Sequence, residues 1–153
     1  MKVRLRIWSD THLLKPERIL GMIESGIDPA NPIMQAVNLS KEDTILAHRV
    51  EWAGTSAQRR RGLLGRKGLD TDEAMYIVPC EWIHTFRMQF PIDVAFLAKD
   101  GRVLAVHHNL KPNRLSRIVF RAEGALELSA GKLRVTDTEV GDIIELREVD
   151  DNS

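Results

Sequence analysis

The strongest constraint in this chain is the run IDVAFLA, Ile92 to Ala98, closed by Lys99 and the dipeptide Asp100-Gly101. Side chains of a strand alternate between faces, so Val94, Phe96 and Ala98 share one side and Ala95 and Leu97 the other. Both sides are largely apolar, which predicts a strand covered on both faces, central in its sheet. Asp-Gly supplies the positive φ of a tight hairpin, so the strand turns directly into another over Val103 to His107.

The same period of two recurs on either side. Leu46, His48, Val50 and Trp52 alternate with Ala47, Arg49 and Glu51, which predicts the first strand. Ala74 to Val78, Ile83 to Gln89, Gly124 to Leu128 and Asp142 to Glu148 read as further strands. A single helix interrupts them. Thr55, followed three residues later by Gln58, has the form of a capping box, in which hydroxyl and amide each satisfy an orphan backbone N–H. The helix should run from Ser56 to about Leu64, with Gly65 and Gly68 suited to its end. Many short strands with one short α-helix after the first strand predict a mainly β fold, a β-sandwich or partly closed barrel of antiparallel strands.

The chain of 153 residues, 43% apolar and 29% charged, suits one globular domain. Residues 1–33 differ in texture, with Pro16, Pro29 and Pro32 and only a short helical pattern around Arg18 to Ser25. They read as an N-terminal extension, followed by a single domain over 34–149 and an acidic tail over 150–153. Lys+Arg and Asp+Glu number 22 each, so no global field steers the chain to nucleic acid or to an anionic membrane, although a local patch can still do so. The charges at Lys2, Arg4, Arg6 and Asp10 break any signal-peptide core, and no apolar run is long enough to span a bilayer. One cysteine, Cys80, forms no internal disulfide and favours a reducing, cytoplasmic setting.

The segment PCEWIHTFRMQFPID, Pro79 to Asp93, gathers the residue types that do chemistry. On a regular strand Cys80, Trp82, His84, Phe86 and Met88 share a face that reads as core, with Thr85, Arg87 and Gln89 opposite. A Cys80–His84 nucleophilic pair is then separated by roughly 13 Å of backbone, and survives only through a turn at Pro79 to Trp82 or through His107 or His108 across the sheet. A metal set of Cys80, His84, Asp93 and one of those histidines lacks the paired spacing of zinc motifs, so neither metal nor cofactor is expected. Asp93 enters an apolar strand, where an ionised carboxylate needs partners. It should accept backbone N–H groups or pair with Arg61, Arg66, Lys111 or Arg114, a structural role being favoured over a catalytic one. Arg59, Arg60, Arg61, Arg66 and Lys67 read as a solvated face with one arginine turned in as an anchor, ahead of a phosphate or nucleic-acid grip.

The blocks RRRGLLGRKGL, PCEWIHTFRMQFPIDVAFLAKDGRVLAVHHNLKP, ALELSAG and EVGDIIEL, in this order and spacing, resemble the DUF192 (UPF0127) family over about Met34 to Leu146. The resemblance implies a compact β-sandwich-like domain with one helix and brings no activity, substrate or cofactor. Positions that match its pattern are Arg61, Gly62, Leu63, Gly65 and Arg66, then Cys80, His84, Thr85, Phe86, Met88, Pro91 and Asp93, then Glu127, Gly131, Gly141 and Asp142. Arg87 stands where such relatives place a bulky apolar residue, and Ala98-Lys99 where an acidic residue is common. Relatives of this type begin near Met34, which would make residues 1–33 an extension arising from an upstream start.

The leading functional expectation is a non-catalytic binding or accessory module with a polar site near His84, Thr85, Asp93 and an arginine of the helix. Arg61, Arg66, Cys80, His84, Thr85 and Asp93 are its candidate ligand-binding residues, and its partner is a small molecule or a protein. The sequence does not decide whether the chain is an enzyme. Two alternatives stand beside this reading: a Cys80-dependent hydrolase or transferase, and phosphate or nucleic-acid binding by the arginine helix. Nucleic acid and membrane are the partners least expected.

Overall fold

A computed structural model describes residues 33–149. The extension up to Pro32, its helical pattern at Arg18 to Ser25 and the tail 150–153 lie outside the described residues. Seven strands and two short helices follow in the order β1 (Met34–Asn38), β2 (Thr44–Ala53), α1 (Ser56–Arg61), β3 (Glu73–Ile77), β4 (Ile92–Leu97), β5 (Val103–Leu110), β6 (Gly124–Ser129), α2 (Lys132–Val135) and β7 (Ile144–Glu148). They form one sheet in the order β5-β4-β6-β3-β2-β1-β7. Among the described residues no helix is long and apolar enough to cross a membrane.

The two edges of the sheet approach each other beside the β4–β5 turn. Arg102 and Ile143 form an isolated antiparallel bridge, with Val103 N–H donating to the Asp142 carbonyl at 2.8 Å and Ile144 N–H to the Gly101 carbonyl at 2.9 Å. Gly101 is required there twice: its φ is +88°, as the Asp-Gly turn predicted, and a Cβ would run into the Ile144 carbonyl. The sheet therefore curls into a partly closed barrel.

Curling gives the sheet two apolar faces. The inner face gathers Leu46, Tyr76, Leu97, Leu126, Leu128, Leu133 and Ile144. The outer one gathers Met75, Ile77, Val94 and Phe96, roofed by Leu63 from just beyond α1 and by Ile83 and Met88 from the long β3–β4 connection. Strand β4 contributes Ala95 and Leu97 to the first and Val94 and Phe96 to the second, and every one of its residues is buried. The doubly covered strand read from the sequence is thus in place and paired on both sides, though one position in from the β5 edge, and truncating Phe96 to alanine should cost about 3–5 kcal/mol.

Other expectations are corrected. The first strand is β1, and the run around Leu46 to Trp52 lies in β2. Its alternation breaks: Leu46 and Ala47 are both buried, while His48 and Arg49 both face solvent. The N–H groups of His48 and Arg49 donate to the same Asp72 carbonyl, at 2.9 and 3.0 Å, and the register against β1 shifts nearby. This bulge turns His48 out of the face it was expected to share. Most pairs are antiparallel, but β2 and β3 are parallel, because the chain between them crosses through α1 instead of a hairpin. The capping box is present, with Gln58 N–H on Thr55 Oγ1 at 3.2 Å and Thr55 N–H on Gln58 Oε1 at 3.0 Å. The helix stops at Arg61, short of Leu64, because Gly62 takes positive φ and donates to the Gln58 carbonyl.

The largest correction concerns Ile83 to Gln89, which is not a strand. Arg87 has φ +64° and Met88 N–H donates to the Thr85 carbonyl, so the segment turns instead of extending. A single bridge, His84 to Leu115, ties it to the 111–121 connection. Its first half shows the reverse of the expected faces, with Ile83 and Thr85 buried and Trp82, His84 and Phe86 exposed, while Met88 is buried and Arg87 and Gln89 are exposed as expected. Helix α2, missed in the sequence, caps the inner core with the fully buried Leu133.

Candidate functional site

The outer roof does not seal. Between α1 and the Pro79–Met88 segment lies an open cleft of about 890 Å³, with Leu63, Ile77, Ile83 and Met88 as apolar walls and Arg60, Arg61, Trp82 and His84 among its lining residues. Arg59 is the inward anchor of the helix: its guanidinium donates to the Gly54 carbonyl at 2.6 Å and reaches the Val78 carbonyl at 3.5 Å, tying α1 to the end of β3. Arg60 and Arg61 are exposed.

Glu127 also lines this cleft. It sits in β6 opposite Met75 of β3 and Val94 of β4, both on the outer face, while its neighbours Leu126 and Leu128 face the inner core. The residue is 4% exposed, and its Oε2 has no hydrogen-bond partner among the described residues. Burial pushes the carboxyl up to about 8, against a weaker opposing pull from Arg66, so at neutral pH it is mostly a neutral acid able to donate as well as accept. The Tyr76 hydroxyl is also buried with no partner among the described residues and is raised by burial, but it belongs to the inner core and does not line the cleft.

Of the residues expected at a site, the structure brings Arg61, Cys80 and His84 to the cleft. Cys80 is half-buried, and its thiol donates to the Trp82 carbonyl at 3.1 Å. Burial pushes that thiol up to about 11, which leaves little thiolate near neutral pH. His84 stacks on Phe86, ring centroids 5.1 Å apart and 21° between planes, with Trp82 at 6.3 Å on a tilted approach.

Arg66, Thr85 and Asp93 lie elsewhere. Arg66 makes a two-pronged pair with Glu51, at 2.8 and 2.6 Å, whose hydrogen bond holds the Glu51 carboxyl below its usual range. Thr85 is buried, donates to the Lys111 carbonyl at 2.7 Å and accepts from Arg114 N–H at 2.9 Å, pinning two connections together. Asp93 is fully buried and accepts Asn109 N–H at 2.8 Å and Leu133 N–H at 2.9 Å. It takes the backbone-acceptor role foreseen for it, fastening α2 and β5 to β4, with no arginine or lysine partner among the described residues. The polar grouping of His84, Thr85 and Asp93 is therefore not assembled. Among the described residues no three His, Cys, Asp or Glu side chains are placed to hold a metal ion.

Glu127, Trp82 and Arg59 are the residues that the site reading missed. Glu127 stood among the family-patterned positions, but a glutamate between two leucines on a strand reads as solvent-facing. Only a sheet covered on both faces makes it informative.

The sequence matches the family model DUF192, described as "Uncharacterized ACR, COG1430", over residues 37–146. No functionally curated protein matches it. In fold it is similar to a Sinorhizobium meliloti 1021 protein described as a "putative transcription regulator", with a TM-score of 0.64 and 26% identity over 76% of this chain and 93% of that one. It is also similar to a Novosphingobium aromaticivorans DSM 12444 protein of unknown function, with a TM-score of 0.64 and 23% identity over 75% and 84% of the two chains.

Proposed function

The chain belongs to the DUF192 family, whose description carries no activity, and from the chemistry of the cleft we propose that it is a small ligand-binding or accessory module and not a catalyst. The observation that carries this reading is the Glu127 carboxyl, buried in an apolar strand at the wall of an open cleft with an oxygen that has no partner among the described residues. Such a group costs about 1–3 kcal/mol when left unpaired, a cost that a ligand hydrogen bond removes. The fitting ligand is a small molecule with an apolar body against Leu63, Ile77 and Met88 and a polar group at Glu127. Arg61 and His84, both exposed, also line the cleft.

Catalysis by Cys80 fits less well. Its thiol donates to a backbone carbonyl, and its raised pKa works against the thiolate that a nucleophile needs. We assign the protein to the cytoplasm, since Cys80 is its single cysteine.

A fragment library of aliphatic and aromatic amides and carboxylic acids, screened by methyl-detected NMR, tests the reading. We expect hits that shift the methyls of Leu63, Ile77 and Met88 in the parent and lose affinity about tenfold or more in Glu127→Leu, the size of one buried hydrogen bond to a polar group. Hits confined to other surfaces, or hits indifferent to Glu127→Leu, refute it.

A further inference from the structure

Folding segregates charge that the composition conceals. Residues 81–87 and 111–121 carry five basic side chains, Arg87, Lys111, Arg114, Arg117 and Arg121, against one acidic one, Glu81, within a chain of zero net charge. These segments lie side by side: Asn113 N–H donates to the Thr85 carbonyl at 2.9 Å, Ser116 N–H to the Ile83 carbonyl at 2.9 Å, and Val119 N–H to the Glu81 carbonyl at 2.7 Å. All five basic residues are exposed, and none forms an ion pair with a described carboxylate.

The same ribbon carries the exposed aromatic residues of the described chain. Trp82 is 50% exposed, Phe86 48%, Leu115 61%, Ile118 57% and Phe120 78%. Ile83 and Ser116, by contrast, are buried beneath it. A ribbon with one face in the core and large apolar side chains on the other, among unpaired arginines, is built to meet something anionic and apolar at once.

We propose that this ribbon docks on an anionic lipid surface, with Phe120, Ile118 and Leu115 entering the boundary between headgroups and acyl chains and the arginines resting on lipid phosphates. Arginine suits that position because its stem lies along apolar surface while its head stays with the phosphates. Two competing occupants fit less well. Single-stranded nucleic acid needs a run of free ring faces, whereas His84 and Phe86 are stacked on each other, Trp82 leans on His84, Leu115 and Ile118 offer no π-face, and only Phe120 stands clear. Residues 1–32 of the chain hold five Lys or Arg (2, 4, 6, 15, 18) against four Asp or Glu (10, 17, 24, 28), so their charge does not complement a basic face. The absence of a spanning helix and the balanced composition, which set membranes aside in the sequence, do not bear on peripheral docking.

Flotation of the full chain with vesicles tests the proposal, using phosphatidylcholine alone and phosphatidylcholine mixed with phosphatidylglycerol. The expected result is binding to the anionic vesicles at low salt, loss at high salt, and a blue shift of tryptophan emission that Trp82→Phe diminishes. Each arginine-to-glutamine change at 114, 117 or 121 should weaken binding about fivefold. Phe120→Ser with Ile118→Ser should weaken it about tenfold or more, and Val135→Ser, which removes another exposed apolar side chain, should leave it unchanged. Leu115, Ile118 and Phe120 do not line the Glu127 cleft, so these variants separate this proposal from ligand binding there. Failure to float with anionic vesicles at low salt overturns it, as does equal binding to neutral vesicles. So does binding to a single-stranded oligonucleotide in place of vesicles.

Discussion

Adjacent strands of this sheet each bury a carboxylic acid, and the two are treated in opposite ways. Asp93 in β4 holds two backbone N–H groups, from Asn109 and Leu133, and so fastens α2 and β5 to the sheet. Glu127 in β6 is buried almost as deeply, yet its Oε2 has no described partner and the residue borders an open cleft. Burial is thus common to both and distinguishes nothing. What separates a structural acid from a candidate binding group is whether its hydrogen-bonding capacity is used up within the fold.

The comparison breaks most directly at Asp93. Asp93→Ala strands two buried donors and leaves a cavity, and it should cost about 3 kcal/mol or more in denaturant unfolding. A loss near that of an exposed substitution, within about 0.5 kcal/mol, would remove Asp93 from its structural role.

Glu127 predicts a change of opposite sign. Its folded pKa of about 8 lies above its ordinary value of 4.5, so its contribution is fully present below pH 4.5 and is lost as pH rises through 8, because the unfolded chain ionises first. Glu127→Gln should therefore match the parent near pH 4 and be the more stable by several kcal/mol above pH 8, since each pH unit between 4.5 and 8 is worth about 1.4 kcal/mol. A stability difference between parent and variant that does not change with pH would contradict this.

The smallest effect concerns Cys80, whose thiol faces both the burial that raises it and the charge of Glu127, which raises it further. Its alkylation should rise with pH towards a midpoint near 11, and Glu127→Gln should shift that midpoint slightly down. A midpoint near 8.5, that of an ordinary thiol, would return Cys80 to contention as a nucleophile.

Local signals were legible where the physics is local. The doubly apolar β4, the Asp100-Gly101 turn and the Thr55–Gln58 capping box each depend on residues near in sequence, and each is where it was expected. The failures are non-local. Whether His48 points in or out is decided by a bulge against Asp72, and the faces of Ile83 to Met88 by hydrogen bonds to residues some thirty positions onward. Of the candidate residues read from the sequence, Arg61, Cys80 and His84 line one cleft, whereas the polar atoms of Thr85 and Asp93 are spent on backbone groups. Glu127 went unremarked as a site residue because its meaning lies in β3 and β4 on either side of it.

The direct measurement is the titration of glutamate side-chain carboxyl carbons by 13C NMR in the full chain. One carboxyl, absent from Glu127→Gln, should titrate near 8. If instead the Glu127 signal titrates near 4.5, the carboxyl is solvated or paired, and the central claim fails.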